Sequence, residues 1–318
     1  MTVNAPSRLH FGLLQLSTEF SNFYGGLGAA ITTPSWTLEV EFTQRHDQLD
    51  ELGQELGAYA KGLLSRIRER VDLDPLAVDV RASVPQHVGL GSKTSLGCAL
   101  LAAAWTLGRG RAEWSHHRDL LYRAGASGIG INVAVDGGLI LDAGHPRTSV
   151  AALLPSGARP GQAVPSVVAR WPAQFLPAPL LVRPAGVTGL HGAQEVLLWQ
   201  RRVPIASSSA IRAAATLMYE VLPAIARKDV NGWMRGIQAF QECGFKRLEW
   251  ELQPEICHDL RKAAVAAGAS AVALSSMGPT MAVFAADTAH VAEALGRTLG
   301  TQVTLAEFSD VGVTLTIA

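Results

Sequence analysis

The sequence is poor in the residues that mark several common classes of protein. Cysteine occurs only at Cys98, Cys243 and Cys257, and no two of these have CxxC spacing. Three widely spaced cysteines do not predict a disulfide framework or a zinc site, and they favour a reducing compartment. Lysine is also scarce, because only five of the 27 basic residues are lysines. We therefore expect a cytoplasmic protein whose cysteines are ordinary core residues.

Net charge and long apolar runs are missing as well. The 27 basic and 27 acidic residues cancel, so we expect no basic surface for nucleic acid or an anionic membrane. No apolar run reaches the roughly 18 residues of a membrane-spanning helix. The first residues lack a basic stretch followed by a long apolar one, so no secretory leader is expected. Hydrophobic residues make up 48% of the 318 residues, which allows a substantial core.

Strand and helix patterns alternate along the chain. In the first half, strands are predicted at 5–14, 27–32, 36–42, 76–82 and 138–142, and helices at 52–71, 96–107 and 114–124. In the second half, strands are predicted at 166–171, 179–183, 271–275, 280–285, 302–307 and 311–317, and helices at 205–227, 230–241, 254–267 and 288–299. This mixture with tight hairpins predicts an α+β fold. Residues 146–165 are rich in Pro, Gly, Ser and Ala, so we divide the chain into domains 1–160 and 161–318.

A glycine-rich loop before the predicted helix at 96–107 is the strongest chemical signal. Glycines allow backbone N–H groups to turn towards a ligand, and the start of a helix leaves such groups unpaired. A lysine and several hydroxyls in the same segment favour a di- or triphosphate ligand, although an ordinary loop with Ser92 as helix cap is an alternative. The spacing differs from the GxxxxGK[ST] phosphate loop. The candidate phosphate-binding residues are Gly89, Gly91, Ser92, Lys93, Thr94 and Ser95.

Three ordered blocks resemble the GHMP kinase superfamily. They read PSRLHFG at 6–12, PQHVGLGS at 85–92 and SSMGPT at 275–280. The resemblance implies an N-terminal domain like the second domain of ribosomal protein S5 and a ferredoxin-like C-terminal domain. Two departures argue against a kinase. Lys93 replaces the second serine of the usual GLGSSA, and Ile131 replaces the aspartate that activates the acceptor hydroxyl in SGxxD. An aliphatic side chain cannot take a proton, so phosphoryl transfer to an alcohol is not expected.

A non-kinase branch of the superfamily is more similar. The segments RLHFG at 8–12, YGGLG at 24–28, GLHGAQE at 189–195 and SSMGPT at 275–280 resemble the β-ribofuranosylaminobenzene 5′-phosphate synthases and the related enzymes that make C-nucleosides. The resemblance implies that phosphoribosyl pyrophosphate (PRPP) reacts with an aromatic carboxylic acid. A C–C ribosyl bond forms, and CO2 and pyrophosphate leave. It also implies Mg2+ for the pyrophosphate and an association as homodimers.

The resemblance and the residue pattern together give candidate roles. Arg8 and His10 alternate on one predicted strand and therefore share a face, whereas a surface ion pair is the alternative. His191 and Glu195 are four residues apart, which would place them on one helix face; a solvent-facing pair is equally open. Glu195 is the candidate Mg2+ ligand, and Ser127 joins the pyrophosphate group. The candidates for the 5′-phosphate or the acceptor are Gly25, Gly26, Arg123, Ser275, Ser276 and Thr280, although the last three also fit a plain β-turn.

The identity of the acceptor is the remaining question. The aminobenzoate enzymes carry arginines at the positions of Asn22 and Ala126, and Arg123 lies nearby. This loss favours a heteroaromatic acid, such as an aminopyrazole dicarboxylate in C-nucleoside antibiotic biosynthesis. The alternative is 4-aminobenzoate or 4-hydroxybenzoate in methanopterin biosynthesis. A small-molecule kinase and a ligand-binding protein without catalysis are further alternatives, and a nucleic-acid-binding role is disfavoured by the neutral charge.

Overall fold

The structure is a computed structural model, and it describes residues 1–109, 113–160, 162–298 and 300–317. The strands in chain order are β1 (Thr2–Gln15), β2 (Asn22–Phe42), β3 (Leu76–Ala82), β4 (Leu139–Asp142), β5 (His145–Pro146), β6 (Val167–Trp171), β7 (Leu180–Pro184), β8 (Ala269–Leu274), β9 (Met281–Ala285), β10 (Thr301–Leu305) and β11 (Thr314–Thr316). The helices are α1 (Gly53–Arg68), α2 (Ser92–Arg109), α3 (Ile129–Asp136), α4 (Gly192–Arg202), α5 (Ser207–Thr216), α6 (Leu222–Arg227), α7 (Val230–Gln241), α8 (Gly244–Glu251), α9 (Glu255–Ala266) and α10 (Thr288–Gly296).

The first sheet is organised around the long strand β2. Its main order is β11-β1-β2-β4-β6, and β3 and β5 also pair with β2. All of these pairings are antiparallel. With 21 residues, β2 is long enough to hold several partners along its length. Helix α2 lies under this sheet, and its residues from Leu96 to Ala104 are almost all buried.

The second sheet has the order β10-β7-β9-β8 and is also antiparallel. Counted along the chain, this is the order fourth-first-third-second, with helices in the connections β7–β8 and β9–β10. This arrangement is the ferredoxin-like one, so the expected α+β fold with two sheets is confirmed. Aromatic rings join the two parts of the core: Phe11 of β1 meets Trp233 of α7 edge-on at 5.8 Å, and Trp233 meets Phe284 of β9 at 4.8 Å.

The division into residues 1–160 and 161–318 stays a prediction, and Gly161 lies outside the described residues. The strand pairing nevertheless crosses it twice. Strand β6 extends the first sheet through β4, and β11 returns from the end of the chain to pair with β1. The three cysteines are buried and free, as expected.

Several predicted elements need correction. The two strands expected at 27–32 and 36–42 form the single strand β2, because a register shift opposite Pro6 and Ser7 absorbs residues 32–34 as a bulge. The helix expected at 114–124 is a short 3-10 segment, Trp114–Leu121, which ends at a left-handed Tyr122. The helix expected at 205–227 begins two residues later, at Ser207, runs to Arg227 and includes a π-turn at Leu217–Val221. Helices α3 and α8 were not expected. The last residue of the helix predicted at 288–299 lies outside the described residues.

Candidate active site

One cavity of about 600 Å3 collects most of the candidate residues. Its walls come from β1, the glycine-rich loop, the start of α4 and the turn between β8 and β9. It brings together residues that are up to 270 positions apart in the sequence. The candidates that line it are Arg8, His10, Gly89, Gly91, Ser92, Lys93, Thr94, Arg123, Ser127, His191, Glu195 and Ser276. Arg8 and His10 both lie in the wall that β1 forms, as the alternation of side chains along a strand predicts.

The glycine-rich loop needs its two glycines for different reasons. Both are in the left-handed region, with φ of +84° at Gly89 and +75° at Gly91, where other residues are strained. A Cβ on Gly89 would collide with the backbone oxygen of Ser275. A Cβ on Gly91 would come within 3.0 Å of the Arg8 side chain. The loop is therefore packed against the β8–β9 turn on one side and against Arg8 on the other.

Arg8 is held in the cavity wall by this loop. Its Nη1 donates a hydrogen bond of 2.5 Å to the backbone oxygen of Gly89. Burial lowers the pKa of Arg8 to about 10, Glu249 opposes this shift, and Arg123 adds to it. A guanidinium so poorly solvated gains from an anionic ligand, because a ligand's charge replaces the missing water.

The hydroxyls of the loop do not all face the cavity. Ser92 Oγ donates to Val84 O at 2.7 Å, and Ser95 Oγ donates to Pro6 O at 2.6 Å. These two hydroxyls therefore fasten the start of α2 to its surroundings, and their binding of phosphate stays a prediction. Thr94 Oγ1 accepts a long 3.4 Å hydrogen bond from Arg123 Nε, so Thr94 and Arg123 belong to the same wall.

Lys93 and His87 both contact the carboxylate of Glu55. Lys93 Nζ lies 2.5 Å from Glu55 Oε1, and His87 Nε2 lies 3.0 Å from Glu55 Oε2. Hydrogen bonds from Lys93 and His87 lower the pKa of Glu55 to about 2. The loop's one full positive charge thus has a resident carboxylate partner from α1, which sequence reasoning did not identify.

His191 and Glu195 both line the cavity, but not on one helix face. Helix α4 begins at Gly192, and His191 before it has extended backbone (φ −151°, ψ 166°). The His191 ring stacks on His87 with centroids 3.9 Å apart, and its Nδ1 lies 2.9 Å from Gly189 O. The i to i+4 argument is therefore corrected: both side chains reach the cavity because the chain turns into α4 at its edge.

Glu195 lies in the first turn of α4 and makes no hydrogen bond or ion pair with the described part of the chain. Burial raises its pKa to about 7, Arg123 opposes the shift, and Glu249 adds to it. A carboxyl group so placed changes charge near neutral pH. It is available to a ligand, a metal ion or a proton.

His10 and Ser127 meet at the floor of the cavity. His10 Nε2 lies 3.0 Å from Ser127 Oγ, and Ser127 Oγ lies 3.2 Å from Asp142 Oδ2. Burial, with Arg8 and Lys246 nearby, lowers the pKa of His10 well below its usual value. Burial also raises the pKa of Asp142 to about 6, against hydrogen bonds from Gly144 and Gly128. His10 is consequently neutral in this environment.

The turn between β8 and β9 is tied to its surroundings. Ser275 Oγ donates to Gly89 O at 2.7 Å and accepts from the His10 N–H at 3.0 Å. The Ser276 N–H donates to His10 O. Thr280 is fully buried, and its N–H donates to Val88 O. Ser275 and Thr280 therefore hold the two parts of the molecule together at the cavity, and Ser276 is the residue of the three that lines it.

A buried ion pair lies behind the same turn. Lys246 Nζ is 2.5 Å from Glu249 Oε2, and it donates to Leu274 O and Ser276 O, each at 3.1 Å. Burial lowers the pKa of Lys246 and raises that of Glu249, and each partner opposes the shift of the other. Glu249 lines the cavity, and its carboxylate interacts electrostatically with Arg8.

Gly25 and Gly26 lie beside the cavity rather than in it. Gly25 has φ of +66°, and a Cβ on Gly26 would come within 3.1 Å of His10 Nε2. Because these two residues have no side chain, β2 can pass close to His10 and to the end of β4. Both glycines lie in the part of β2 that pairs with β1 and β4.

No group of three or more His, Cys, Asp or Glu side chains within the described ranges is arranged to hold a metal ion. Mg2+ keeps several waters and takes only one or two protein carboxylates beside substrate phosphates. Glu195 and Glu249 both line the cavity and fit that requirement. Burial and then the charge of Glu249 raise the pKa of Glu195, and a divalent cation would offset that repulsion.

Several residues of the site escaped sequence reasoning. These residues are Glu55, His87, Asp142, Lys246 and Glu249, and all but His87 lie outside the recognised motifs, in helices or strands away from the glycine-rich loop. Only His87 had a local signal, since it lies inside the loop sequence. Lys246 and Glu249 have i to i+3 spacing in a segment for which no helix was expected.

Comparison with known proteins decides the family. No family model matches the chain. A β-ribofuranosylphenol 5′-phosphate synthase from Methanothermobacter thermautotrophicus is 31% identical over 296 residues, with 88% of this chain and 87% of that protein covered. The chain belongs to the family of β-ribofuranosylphenol 5′-phosphate synthases. A member from Archaeoglobus fulgidus is 26% identical over 285 residues, covering 88% of this chain and 86% of its own.

The likeness in structure is wider than the family. The chain matches the Methanococcus jannaschii mevalonate kinase with a TM-score of 0.70 at 11% identity, covering 97% of this chain and 98% of the kinase. At that identity the match shows the fold alone. This family member is therefore an enzyme of glycosyl transfer built on the GHMP fold, in the non-kinase branch that the sequence motifs indicated. In the described part of this chain, no helix is long and apolar enough to cross a membrane.

Proposed function

We propose that this enzyme joins C1 of the ribose 5-phosphate unit of PRPP to a ring carbon of 4-hydroxybenzoate, with loss of pyrophosphate and CO2. The relatives are named for a ribofuranosylphenol 5′-phosphate product, which this reaction yields. The observation that carries the proposal is the composition of the cavity. Arg8, Lys93 and Arg123 line it, whereas Ile131 stands where a kinase has its base.

The reaction needs no proton transfer at the attacked carbon. The bond from C1 to the pyrophosphate oxygen breaks, and the departing oxygen keeps the electron pair. The ring carbon that bears the carboxylate then forms the new bond to the oxocarbenium-like C1. The bond to the carboxylate breaks next, and its electron pair restores the aromatic ring as CO2 leaves. The protein's contribution is to bind, align and exclude water, which suits a cavity without a general base at position 131.

The cations supply the main interaction with the phosphates. We assign Lys93 and the backbone around Gly89 and Gly91 to the pyrophosphate, with Thr94 as the loop hydroxyl that remains at the cavity. Arg8 and Arg123 take the remaining anionic groups, the 5′-phosphate or the acceptor carboxylate. Charge developing on the pyrophosphate oxygen during bond breaking strengthens these contacts in the transition state.

The remaining candidates shape the acceptor part of the cavity. We assign His191 to the aromatic acid, because its ring stacks on His87 at the cavity wall and offers an aromatic surface. His10 and Ser127 form the neutral polar floor, next to Ser276.

Mg2+ is the cofactor in this proposal, with Glu195 as its protein ligand and Glu249 as the neighbouring carboxylate. When bound, it neutralises the pyrophosphate and so favours its departure. A cytoplasmic location, small-molecule substrates and a homodimer are part of the proposal, on the sequence grounds given above.

A heteroaromatic acceptor is the second candidate. Ala126 lines the cavity at a position where the aminobenzoate enzymes carry an arginine, so the acceptor's acid group is held differently here. An aminopyrazole dicarboxylate would place its second carboxylate against Arg123. The family relatives favour the phenol, and the test below distinguishes the two.

The test is a product assay with PRPP, Mg2+ and one acid at a time. The acids are 4-hydroxybenzoate, 4-aminobenzoate and 4-aminopyrazole-3,5-dicarboxylate. We expect a riboside 5′-phosphate whose mass shows that the acid has lost its carboxyl group as CO2. We expect 4-hydroxybenzoate to be the best acceptor. Turnover with the pyrazole acid alone would show that this acid, and not 4-hydroxybenzoate, is the acceptor. ATP-dependent phosphorylation of an alcohol without any riboside would contradict the proposal, and stable ligand binding without turnover would indicate a binding protein.

A further inference from the structure

A single carboxylate from helix α1 reaches the cavity, that of Glu55. Its Oε1 accepts from Lys93 Nζ at 2.5 Å, and its Oε2 lies 3.0 Å from His87 Nε2. The two oxygens are thus held by one donor each. A pair of cationic or polar donors binds two phosphate oxygens in the same way, so Lys93 and His87 offer the donor arrangement that a phosphate needs.

The backbone of each donor and the His87 ring are held by contacts that do not involve Glu55. His87 O accepts from the Gly189 N–H, and the His87 ring stacks on His191. Lys93 lies in the first turn of α2, with its Nζ 6.0 Å from the centre of the Tyr59 ring. The backbone positions of the two donors therefore do not depend on Glu55.

The Glu55 carboxylate is the most exposed member of this group. Its side chain is 48% exposed, whereas that of Lys93 is 29% exposed and that of His87 25%. Exposed ion pairs contribute little to stability because water solvates both partners well when they separate. The carboxylate can leave towards solvent at little cost, and a phosphate carries more charge than the carboxylate it would replace.

We propose that Lys93 and His87 form a phosphate subsite that Glu55 fills in the free enzyme and leaves when a substrate phosphate arrives. The inference rests on the proposed function for the identity of the phosphate, which is the pyrophosphate of PRPP. Glu55 then acts as a resident competitor. It lowers the affinity for pyrophosphate and thereby speeds the release of that product.

The test measures the binding of inorganic pyrophosphate by titration calorimetry, with and without Mg2+. In Glu55→Gln the competitor loses its charge, and we expect about tenfold tighter binding, equivalent to about 1.4 kcal/mol. The matched control is Glu69→Gln. It removes the same charge just beyond the end of α1 and away from the cavity, so we expect a change below about twofold from long-range charge alone. A double-mutant cycle with Lys93→Met completes the set, since the gain from Glu55→Gln should vanish when Lys93 is absent.

Three results would overturn the inference: Glu55→Gln binds pyrophosphate no tighter than wild type, the gain persists in the Lys93→Met background, or no variant binds pyrophosphate. The riboside assay tests the proposed function separately. Tighter pyrophosphate binding without any riboside product leaves the subsite standing and removes the proposed reaction. Riboside formation with unchanged pyrophosphate binding does the reverse.

Discussion

Two lysine–glutamate pairs lie at the same cavity and differ in almost every physical respect. In both, Nζ lies 2.5 Å from a carboxylate oxygen. The Lys246–Glu249 pair is 0% and 4% exposed, whereas Lys93 and Glu55 are 29% and 48% exposed. The buried lysine has two further acceptors, the carbonyls of Leu274 and Ser276. The exposed lysine shares its carboxylate with His87.

The difference teaches that distance alone does not define the role of an ion pair. A buried charge that loses its partner cannot be solvated, so the pair must stay intact. An exposed pair exchanges its partner for water or for a ligand. We therefore assign Lys246 and Glu249 to holding the β8–β9 turn in place, and Lys93 to binding.

Lys246→Met has the largest expected effect. It leaves Glu249 buried without its partner, so the free energy of unfolding should fall by about 3–5 kcal/mol in denaturant titration. The matched control is Lys262→Met, whose partner Asp259 is exposed, and its effect should stay within about 0.5 kcal/mol. Equal, small losses for both variants would show that burial does not separate the two kinds of pair.

Lys93→Met should weaken ligand binding and leave the stability of the fold almost unchanged. The fold loses only an exposed pair worth about 0–1 kcal/mol. Pyrophosphate loses a charged hydrogen bond worth about 1.5–3 kcal/mol, so its Kd should rise roughly tenfold to a hundredfold. Calorimetric titration and thermal unfolding of the same variant measure both effects. A destabilised variant with unchanged Kd would break the comparison.

Glu195 extends the comparison to a carboxylate without a lysine. Its pKa is raised to about 7 by burial, and the Mg2+ role requires the ionised form. Since the carboxyl loses its proton as pH rises, kcat/KM should increase with pH through about 7 and level off above it. Glu195→Gln should lower kcat/KM and abolish this rise. An unchanged pH profile in the variant would remove Glu195 from the site.

The smallest effect is expected for Glu55→Gln on stability. Because Glu55 is 48% exposed and its partners are also in contact with solvent, the free energy of unfolding should change by no more than about 0.5 kcal/mol in denaturant titration. The control Glu69→Gln should behave alike. A loss of several kcal/mol in Glu55→Gln would mean that Glu55 holds the loop and is not displaceable.

The local patterns predicted much of the fold because they report burial directly. Helix α7, at Val230–Gln241, and strand β3, at Leu76–Ala82, have the predicted bounds, since their apolar residues follow the helical and strand periods clearly. Strand β2 was divided wrongly because Thr33-Pro34 signals a turn locally, whereas pairing with β1 carries the ladder past it. Helix α8 was missed because its charged residues Lys246 and Glu249 look like a solvated surface in sequence and are buried in the fold.

The candidate site was predictable only as far as its motifs reach. Arg8, His10, Lys93, Arg123 and Glu195 line the cavity as a group. The direction of each hydroxyl in the loop was not predictable, because Ser92 and Ser95 find acceptors in Val84 and Pro6. The partners Glu55 and Glu249 come from other elements. The contact between Glu55 and Lys93 joins residues 38 positions apart, and the i to i+3 spacing of Lys246 and Glu249 is informative only once α8 is known to be a helix.

The most direct test of the central claim follows the carboxylate of the acceptor. The enzyme is incubated with PRPP, Mg2+ and 4-hydroxybenzoate labelled with 13C in its carboxyl group, and CO2, pyrophosphate and riboside are measured together. The account predicts labelled CO2, pyrophosphate and unlabelled riboside 5′-phosphate in equal amounts. A ribosylated product that retains the label, or phosphate transfer from ATP with no labelled CO2, would contradict it.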